Sequence, residues 1–279
     1  MQSRGLAAMM LVVAGVFFSA PAAMGQVPTP RTADGRPDLS GVWSGTGYSG
    51  SSNALDEKGN IRVENTPRPC HPNQECTEAL QGNRDTAIGG RGRAEANVPL
   101  YKPEYWEKVQ YLDENGNEHD LAGRCFPLGV PRMGSPDKIV QTAKEVTFLY
   151  SQRNTFRVIP IDGRPHHPIR SQDLLYHGDA VGHWEGDTLV IDVVGFNEEG
   201  WLGWPGWFHS RNMRVVERLR REGNTLIWQA TVHDPDVLME PWAMDEVRSR
   251  LNPDPDALLM EDLPCDERDF AHMETRERG

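Results

Sequence analysis

The chain has 279 residues, 38% of them hydrophobic, and its 41 acidic against 29 basic side chains give a formal net charge of −12. This acidic balance disfavours nucleic acids and anionic membrane surfaces as partners, because both repel negative charge. The length can bury one sizeable core, and a single domain of this size is common among β architectures.

The first 25 residues have the pattern of a secretory signal peptide. Arg4 supplies an early positive charge, an apolar run extends from about Leu6 to Phe18, and small residues precede a predicted cut after Gly25. The run is too short for a spanning helix. We therefore predict a periplasmic or secreted protein with no stable membrane insertion after signal cleavage, and an uncleaved anchor is the alternative.

Four cysteines follow this segment: Cys70, Cys76, Cys125 and Cys265. An even number in an oxidising compartment predicts two disulfides. Cys70 and Cys76 are close enough for a local bridge, which leaves Cys125 to pair with Cys265. Zinc is the competing interpretation, but the spacings lack the paired motifs of zinc sites, so no metal or other cofactor is expected.

The region up to residue 100 is rich in loops, with a short strand predicted at "DLSGVWSG", residues 38–45. One helix is predicted at "KPEYWEKVQYLDENG", residues 102–116. Pro103 suits its first turn, and Asn115-Gly116 suits its end. Residues 26–279 are expected to form a single domain, with an acidic tail over 251–279.

Residues 138–235 are predicted to form successive β-hairpins. Hairpins are predicted in "KIVQTAKEVTFLYS", "DAVGHWEGDTLVIDVVGF" and "NMRVVERLRREGNTLIWQATVHD", and "TFRVIPID" is predicted as a single strand between the first two. Short turns between the strands indicate an antiparallel meander. A long meander hides its edges by closing. We therefore predict a mainly β fold, a single antiparallel meander closed or nearly closed into a barrel, with one short helix and long loops.

Two carboxylates interrupt apolar rows of this meander. Because side chains alternate along a strand, Glu217 shares a face with Met213, Val215 and Leu219, and Asp234 ends the apolar row that runs back to Leu226. Inward carboxylates are costly unless they are used, and burial raises their pKa towards a useful range for acid–base chemistry. The alternative is that a nearby arginine such as Arg157, Arg164 or Arg218 neutralises each of them.

The stretch "GWLGWPGWFHSRN", residues 200–212, sets three indoles close together. Its glycines and proline are expected to prevent regular structure, so Trp201, Trp204 and Trp207 are predicted to offer flat apolar faces to a ligand at a barrel mouth. The alternative is a hydrophobic plug. His209 follows directly and is the candidate base, with Glu217 or Asp234 as the acid and Arg164 as an anion holder.

The stretches "GHWEGDTLVIDVVGFN", "DLSGVW", "RCFPLGVPR", "DGRPHHP", "HSRNMRVVER" and "HDPDVLMEPW" resemble a large group of exported bacterial proteins without an assigned function. The resemblance covers roughly residues 38–265. Val194 departs from the Thr or Ser of that pattern. A Gly-x-Trp near the start also resembles lipocalins, and this resemblance implies that the predicted barrel is lipocalin-like. The resemblance points to the following residues: Asp162, Arg164, His167, Trp184, Glu185, Asp187, Asn197, Trp201, His209, Glu217, Arg218 and Asp234.

These patterns together lead to a functional expectation. The protein is predicted to be an exported, cofactor-independent acid–base enzyme, an isomerase, lyase or hydrolase, acting on a hydrophobic or aromatic small molecule. Its substrate would be held by Trp184, Asn197, His167 and the three clustered tryptophans. The alternatives are a non-catalytic periplasmic carrier of lipocalin type and a structural module of the cell envelope.

The cysteine pattern gives a first testable prediction. Intact-mass and peptide-mass analysis, with and without reductant, is expected to show two bridges, Cys70–Cys76 and Cys125–Cys265. Reducing the longer bridge is expected to lower the free energy of unfolding by about 2–5 kcal/mol. Free thiols that titrate in the oxidised protein would contradict this arrangement.

Overall fold

The structure is a computed structural model that describes residues 27–44, 97–203 and 206–262. The predicted signal segment lies outside these ranges, as do Trp204, Cys70, Cys76 and Cys265. Cys125 is disulfide-bonded. Its partner lies outside the described ranges, so its predicted pairing with Cys265 stays a prediction.

Twelve strands make up most of the regular structure of the described residues. They are β1 (Gly41–Ser44), β2 (Lys138–Gln141), β3 (Glu145–Tyr150), β4 (Thr155–Pro160), β5 (Asp179–Glu185), β6 (Thr188–Val194), β7 (Trp201–Gly203), β8 (Trp207–Phe208), β9 (Arg214–Glu222), β10 (Thr225–His233), β11 (Trp242–Ala243) and β12 (Val247–Leu251).

Helical structure is sparse in the same ranges. The one helix of more than four residues is α1 (Trp106–Glu114), and a single-turn helix α2 (Gly116–His119) follows it. A 3₁₀ turn that begins at Pro103 leads into α1, as expected for a proline in the first helical turn. No helix in the described ranges is long and apolar enough to cross a membrane.

The predicted fold class is confirmed: the protein is mainly β, with a nearly closed antiparallel barrel, one short helix and loops. Nine strands pair in the order β4-β3-β2-β1-β12-β10-β9-β6-β5, and β11 pairs with β10 outside this path. All of these pairs are antiparallel. The barrel has one unsealed seam, where β4 and β5 lie side by side without a hydrogen-bonded ladder.

The number of strands explains why the seam differs from the other contacts. Neighbouring strands in the path alternate in direction, so the first and the ninth run the same way. β4 and β5 therefore meet as parallel strands, and the alternating antiparallel pattern cannot continue between them. Side-chain packing replaces the ladder at one point, because a Cβ on Gly182 would lie only 2.9 Å from Cγ2 of Ile161.

The interior of the barrel is lined by alternate residues of its strands. In β9 and β10 the predicted inward rows are buried, including Val215, Leu219, Leu226 and Trp228. Glu217 shares this interior and is fully buried. The two turns at Gly186 and Gly223 lie at one end of the barrel, which we call the turn end; the other end, where β6 leads into β7, we call the tryptophan end.

The tryptophan-rich stretch corrects one expectation. It is not free of regular structure, because β7 and β8 pair as a short two-stranded sheet with Trp201 opposite Phe208. Gly203 makes room for this pairing, since a Cβ there would lie 3.0 Å from the Trp207 ring. The glycines therefore permit close packing of an indole here and do not prevent strand formation.

The strand β12 was not predicted, although it joins the N-terminal strand to the rest of the barrel. It pairs with β1 on one side and β10 on the other, with Trp43 opposite Leu251. Its sequence "VRSRL" places Ser249 inward between two aliphatic residues, so its alternation carries only a weak hydrophobic signal.

The seam packing can be tested with a double-mutant cycle. Gly182→Val is expected to lower the free energy of unfolding by about 1–3 kcal/mol, because its side chain would crowd Ile161. Ile161→Ala in the same chain is expected to recover part of this loss, measured by urea unfolding. Strict additivity of the two changes would show that the two residues do not pack against each other across the seam.

Candidate functional site

An ion pair crosses the barrel interior from the seam strand β4 to β9. The Arg157 guanidinium donates two hydrogen bonds to the Glu217 carboxylate, Nη1 to Oε1 at 3.0 Å and Nη2 to Oε2 at 2.5 Å. Arg157 is only 5% exposed and Glu217 is fully buried. Parallel two-point contacts of this kind are the strongest that an arginine makes with a carboxylate.

Two further polar side chains attach to this ion pair. Trp228 donates its indole N–H to Oε1 of Glu217 at 3.0 Å, and Arg157 Nη1 lies 3.4 Å from the Tyr150 hydroxyl. The guanidinium also lies 5.8 Å from the centre of the Phe148 ring. The Glu217 carboxylate is thereby supplied with three hydrogen bonds in an apolar surrounding, as a buried charge requires.

The face of β4 that points into the barrel is not its more hydrophobic face. Arg157 and Ile159 point inward, whereas Phe156 and Val158 are 65% and 49% exposed on the outer face. The register places Arg157 opposite Phe148 of β3, whose side chain is also buried. A one-residue slip would bury the Phe and Val and expose the Arg, so the ion pair with Glu217 outweighs the apolar side chains in setting this face.

The electrostatics keep this pair charged. Burial alone would lower the pKa of Arg157, but the Glu217 carboxylate and the Tyr150 hydroxyl more than offset that effect and raise it. Burial also raises the pKa of Tyr150 above its usual range, with Arg157 opposing the shift. At neutral pH Arg157 is therefore a cation and Tyr150 is a neutral phenol.

His177 belongs to the same site, since it precedes β5 at the other side of the seam. Burial and, to a smaller extent, the positive charge of Arg157 lower its pKa to about 4, and Glu217 acts in the opposite direction. Its Nε2 is buried and has no hydrogen-bond partner in the described part of the chain, and the same is true of Arg157 Nε. We call Arg157, Glu217, Tyr150, Trp228 and His177 the interior cluster.

The predicted pair of His209 and Asp234 lies at the tryptophan end. Asp234 accepts hydrogen bonds from the backbone N–H of Ser210 at 2.7 Å and from its hydroxyl at 2.8 Å. His209 Nδ1 lies 2.9 Å from the Ser210 carbonyl oxygen, and burial lowers the pKa of the His209 ring. These contacts shape the chain between β8 and β9.

The structure does not bring His209 and Glu217 into contact. Asp234 follows His233, which pairs with Arg214, and Glu217 stands three residues further along β9. Asp234 is one residue beyond this pair, so at roughly 3.3 Å per residue the four-residue offset places Asp234 and Glu217 about 13 Å apart along the strands. Glu217 is poorly solvated, as expected, but its partner is Arg157, which is the alternative that the sequence left open.

The described tryptophans of the cluster are buried and do not face solvent. Trp201 is 6% and Trp207 is 1% exposed. Trp207 packs edge-on against Trp242 at 5.4 Å between ring centres, and Phe208 stacks on Tyr101. This packing favours the plug over the exposed ligand platform at the tryptophan end.

Four other predicted site residues lie apart from the interior cluster. Trp184 is at the turn end, under the Arg36 guanidinium. Asn197 accepts hydrogen bonds from backbone N–H groups of its own loop, and His167 Nδ1 does the same in the turn that follows it. Arg164 is exposed and forms an ion pair with Asp162 at 2.6 Å.

Sequence patterns missed four members of the interior cluster: Arg157 as a site residue in its own right, Tyr150, Trp228 and His177. A signal for Arg157 was present, because strict alternation in "TFRVIP" places it on one face with Ile159. Nothing in the sequence shows that β4 and β5 meet, so His177 could not be assigned to the same site.

Comparisons with protein-family models, curated proteins and solved structures find nothing that this chain matches. The described residues also contain no group of three or more His, Cys, Asp or Glu side chains placed to hold a metal ion. A function for this protein is therefore inferred from the geometry of the interior cluster.

The ion pair gives a stability prediction. Glu217→Gln leaves the Arg157 guanidinium buried without a counter-charge, so the free energy of unfolding is expected to fall by about 3–5 kcal/mol. The control Glu185→Gln breaks the exposed pair with Arg218, which is expected to contribute at most about 1 kcal/mol. Urea unfolding at pH 7 measures both. Equal, small losses would show that Glu217 is not held as a buried ion.

The lowered pKa of His177 predicts an acid-side loss of stability. Between the ordinary pKa of 6.5 and the folded value of about 4, the unfolded chain takes up a proton here that the folded chain does not. The free energy of unfolding therefore falls as the pH drops through this window. His177→Phe is expected to remove this part of the loss. Above pH 7 the two stability curves should run parallel, and parallel curves down to pH 4 would contradict the assignment.

Proposed function

We propose that this protein is an exported, non-catalytic carrier that holds a small, mainly apolar molecule inside its barrel. The observation that carries this proposal is the interior cluster, in which polar groups with unpaired hydrogen-bonding atoms are buried among the mainly apolar side chains of the barrel interior. Export is supported by the signal-peptide pattern of the first 25 residues.

The free-energy cost of burying the Arg157–Glu217 ion pair supports a functional role for this pair. Replacing a buried ion pair by apolar side chains of similar volume is often neutral or stabilising. The outward Phe156 and Val158 show that β4 contains apolar residues that a shifted register could bury. A buried charge pair in place of those residues is consistent with selection for recognition of a ligand rather than for stability alone.

Binding is favoured over acid–base catalysis because the candidate acids and bases are already engaged. Glu217 is held by Arg157, Asp234 is held by Ser210, and the two are not neighbours. His177, with a pKa of about 4, is a weak base at neutral pH, whereas an effective general base has a pKa near the working pH. The enzyme hypothesis would need groups that are both free and close together.

The barrel architecture is compatible with this role. Barrels of eight to ten strands enclose an interior that side chains fill or that holds one small ligand. The seam between β4 and β5 lacks the ladder that fixes all the other strand pairs of the barrel path. We infer that the seam is the place where the wall opens for a ligand at the lowest cost in hydrogen bonds.

Fluorescence titration with the neutral probe N-phenyl-1-naphthylamine tests this function. The mature chain is expected to bind it saturably, with one probe per protein. Ala230→Leu adds bulk beside Glu217 and is expected to weaken binding by about tenfold. The control Thr231→Leu lies on the outer face and should bind as the unmodified chain does. Non-saturable binding, or equal affinity of both variants, would exclude a binding site in the barrel.

A further inference from the structure

Two buried nitrogen atoms of the interior cluster have no hydrogen-bond partner among the described residues: Nε of Arg157 and Nε2 of His177. The Arg157 side chain is more than nine-tenths buried. A buried donor without a partner costs free energy, and such atoms are few in folded proteins. Both atoms are therefore positioned to gain from a molecule that brings a hydrogen-bonding group to them.

The two atoms lie on opposite sides of the seam. β4 and β5 run parallel there, and Ile161 packs against Gly182. Arg157 is the third residue of β4, and His177 lies two residues before β5, so both residues flank the same end of the seam. The charge of Arg157 acts on the His177 ring, in agreement with this placement. Both unpaired nitrogens therefore belong to side chains that flank one end of the seam.

The charge balance of the site selects among ligands. Arg157 and Glu217 cancel, Tyr150 is a neutral phenol, and His177 is neutral at pH 7. An anionic ligand would add an unbalanced buried charge, and a cation would face the guanidinium. An uncharged oxygen acceptor adds no charge and can accept the Arg157 Nε–H.

We propose that the interior cluster binds an uncharged, mainly apolar molecule through a single carbonyl or hydroxyl oxygen placed between Arg157 Nε and His177 Nε2. This deepens the proposed carrier function and rests on it. A carbonyl oxygen accepts from both nitrogens, and a hydroxyl accepts from Arg157 and donates to His177, since a neutral imidazole provides either role through its tautomers. The apolar part of the ligand lies against the ring of Phe148 and its aliphatic neighbours.

Four probes with ten carbon atoms each test the ligand class: 2-decanone, 2-decanol, decanoate and n-decane. The affinity of each is measured by its displacement of N-phenyl-1-naphthylamine at pH 7. The ketone and the alcohol are expected to bind about tenfold more tightly than the alkane, which is the worth of one hydrogen bond gained in a buried site. Decanoate is expected to bind more weakly than the ketone.

Two variants test whether the ligand oxygen lies between Arg157 Nε and His177 Nε2. His177→Phe keeps a flat ring and removes Nε2, so the preference for 2-decanone over n-decane is expected to fall to about twofold. Arg157→Lys keeps the charge that Glu217 needs and removes Nε, with the same expected result. The control His183→Phe changes an exposed histidine of β5 and should leave the preference intact. If Arg157→Lys fails to fold, His177→Phe decides.

The possible outcomes distinguish this proposal from the carrier function on which it rests. Tightest binding of decanoate, or equal binding of all four probes, overturns the uncharged-oxygen proposal and leaves the carrier in place. An unchanged ketone preference in His177→Phe shows that the oxygen is bound elsewhere, as does a change of equal size in His183→Phe. If neither N-phenyl-1-naphthylamine nor any of the four ten-carbon probes binds, both the uncharged-oxygen proposal and the carrier function are overturned.

Discussion

The ion pair between Arg157 and Glu217 is the interaction on which the arrangement of the barrel depends. It connects β4, the first strand of the barrel path, to β9, which lies beyond β5 and β6 across the seam, and it determines which face of β4 points inward. Without it, the alternation of β4 would favour burial of Phe156 and Val158 and would turn Arg157 outward. The ion pair therefore ties the position of a seam strand to a residue of the core.

The odd number of strands is the second constraint, and it acts through geometry rather than energy. Nine strands in alternating directions leave two parallel strands to meet. The chain has no ladder there and instead places Gly182 against Ile161, and Arg157 and His177 flank the two sides of the seam. The one weakly connected part of the wall thus coincides with the unpaired polar atoms of the interior cluster.

The fold was largely predictable because strand alternation and turn residues are local signals. Rows such as Val215, Glu217 and Leu219 predicted the inward face of β9 correctly, and the hairpins appear where Gly186 and Gly223 indicated them. The site was predictable only in part. Glu217 stood out because it breaks an apolar row, but its partner comes from a strand that pairing rules do not place opposite β9. β12 was missed because Ser249 weakens its pattern.

Local signals also misled at the tryptophan end. Gly203 and the neighbouring proline suggested an open loop, although the missing Cβ of Gly203 is what allows Trp207 to pack closely. His209 was attractive because it follows the indoles, yet its contact is with the adjacent carbonyl group. Sequence proximity to aromatic residues therefore did not indicate proximity to the interior cluster.

The pairing of β1 with β12 has a consequence for how the barrel assembles. These strands come from opposite ends of the described chain, and Trp43 meets Leu251 only when nearly all of the intervening sequence is in place. Contacts of such long range pay their loop-closure entropy before they contribute stability, which slows folding. Among the described strands, β1 is synthesised first, and its partner β2 follows it long before β12, which covers its other edge. The ring thus closes late, and until then both edges of the growing sheet can pair with a second chain.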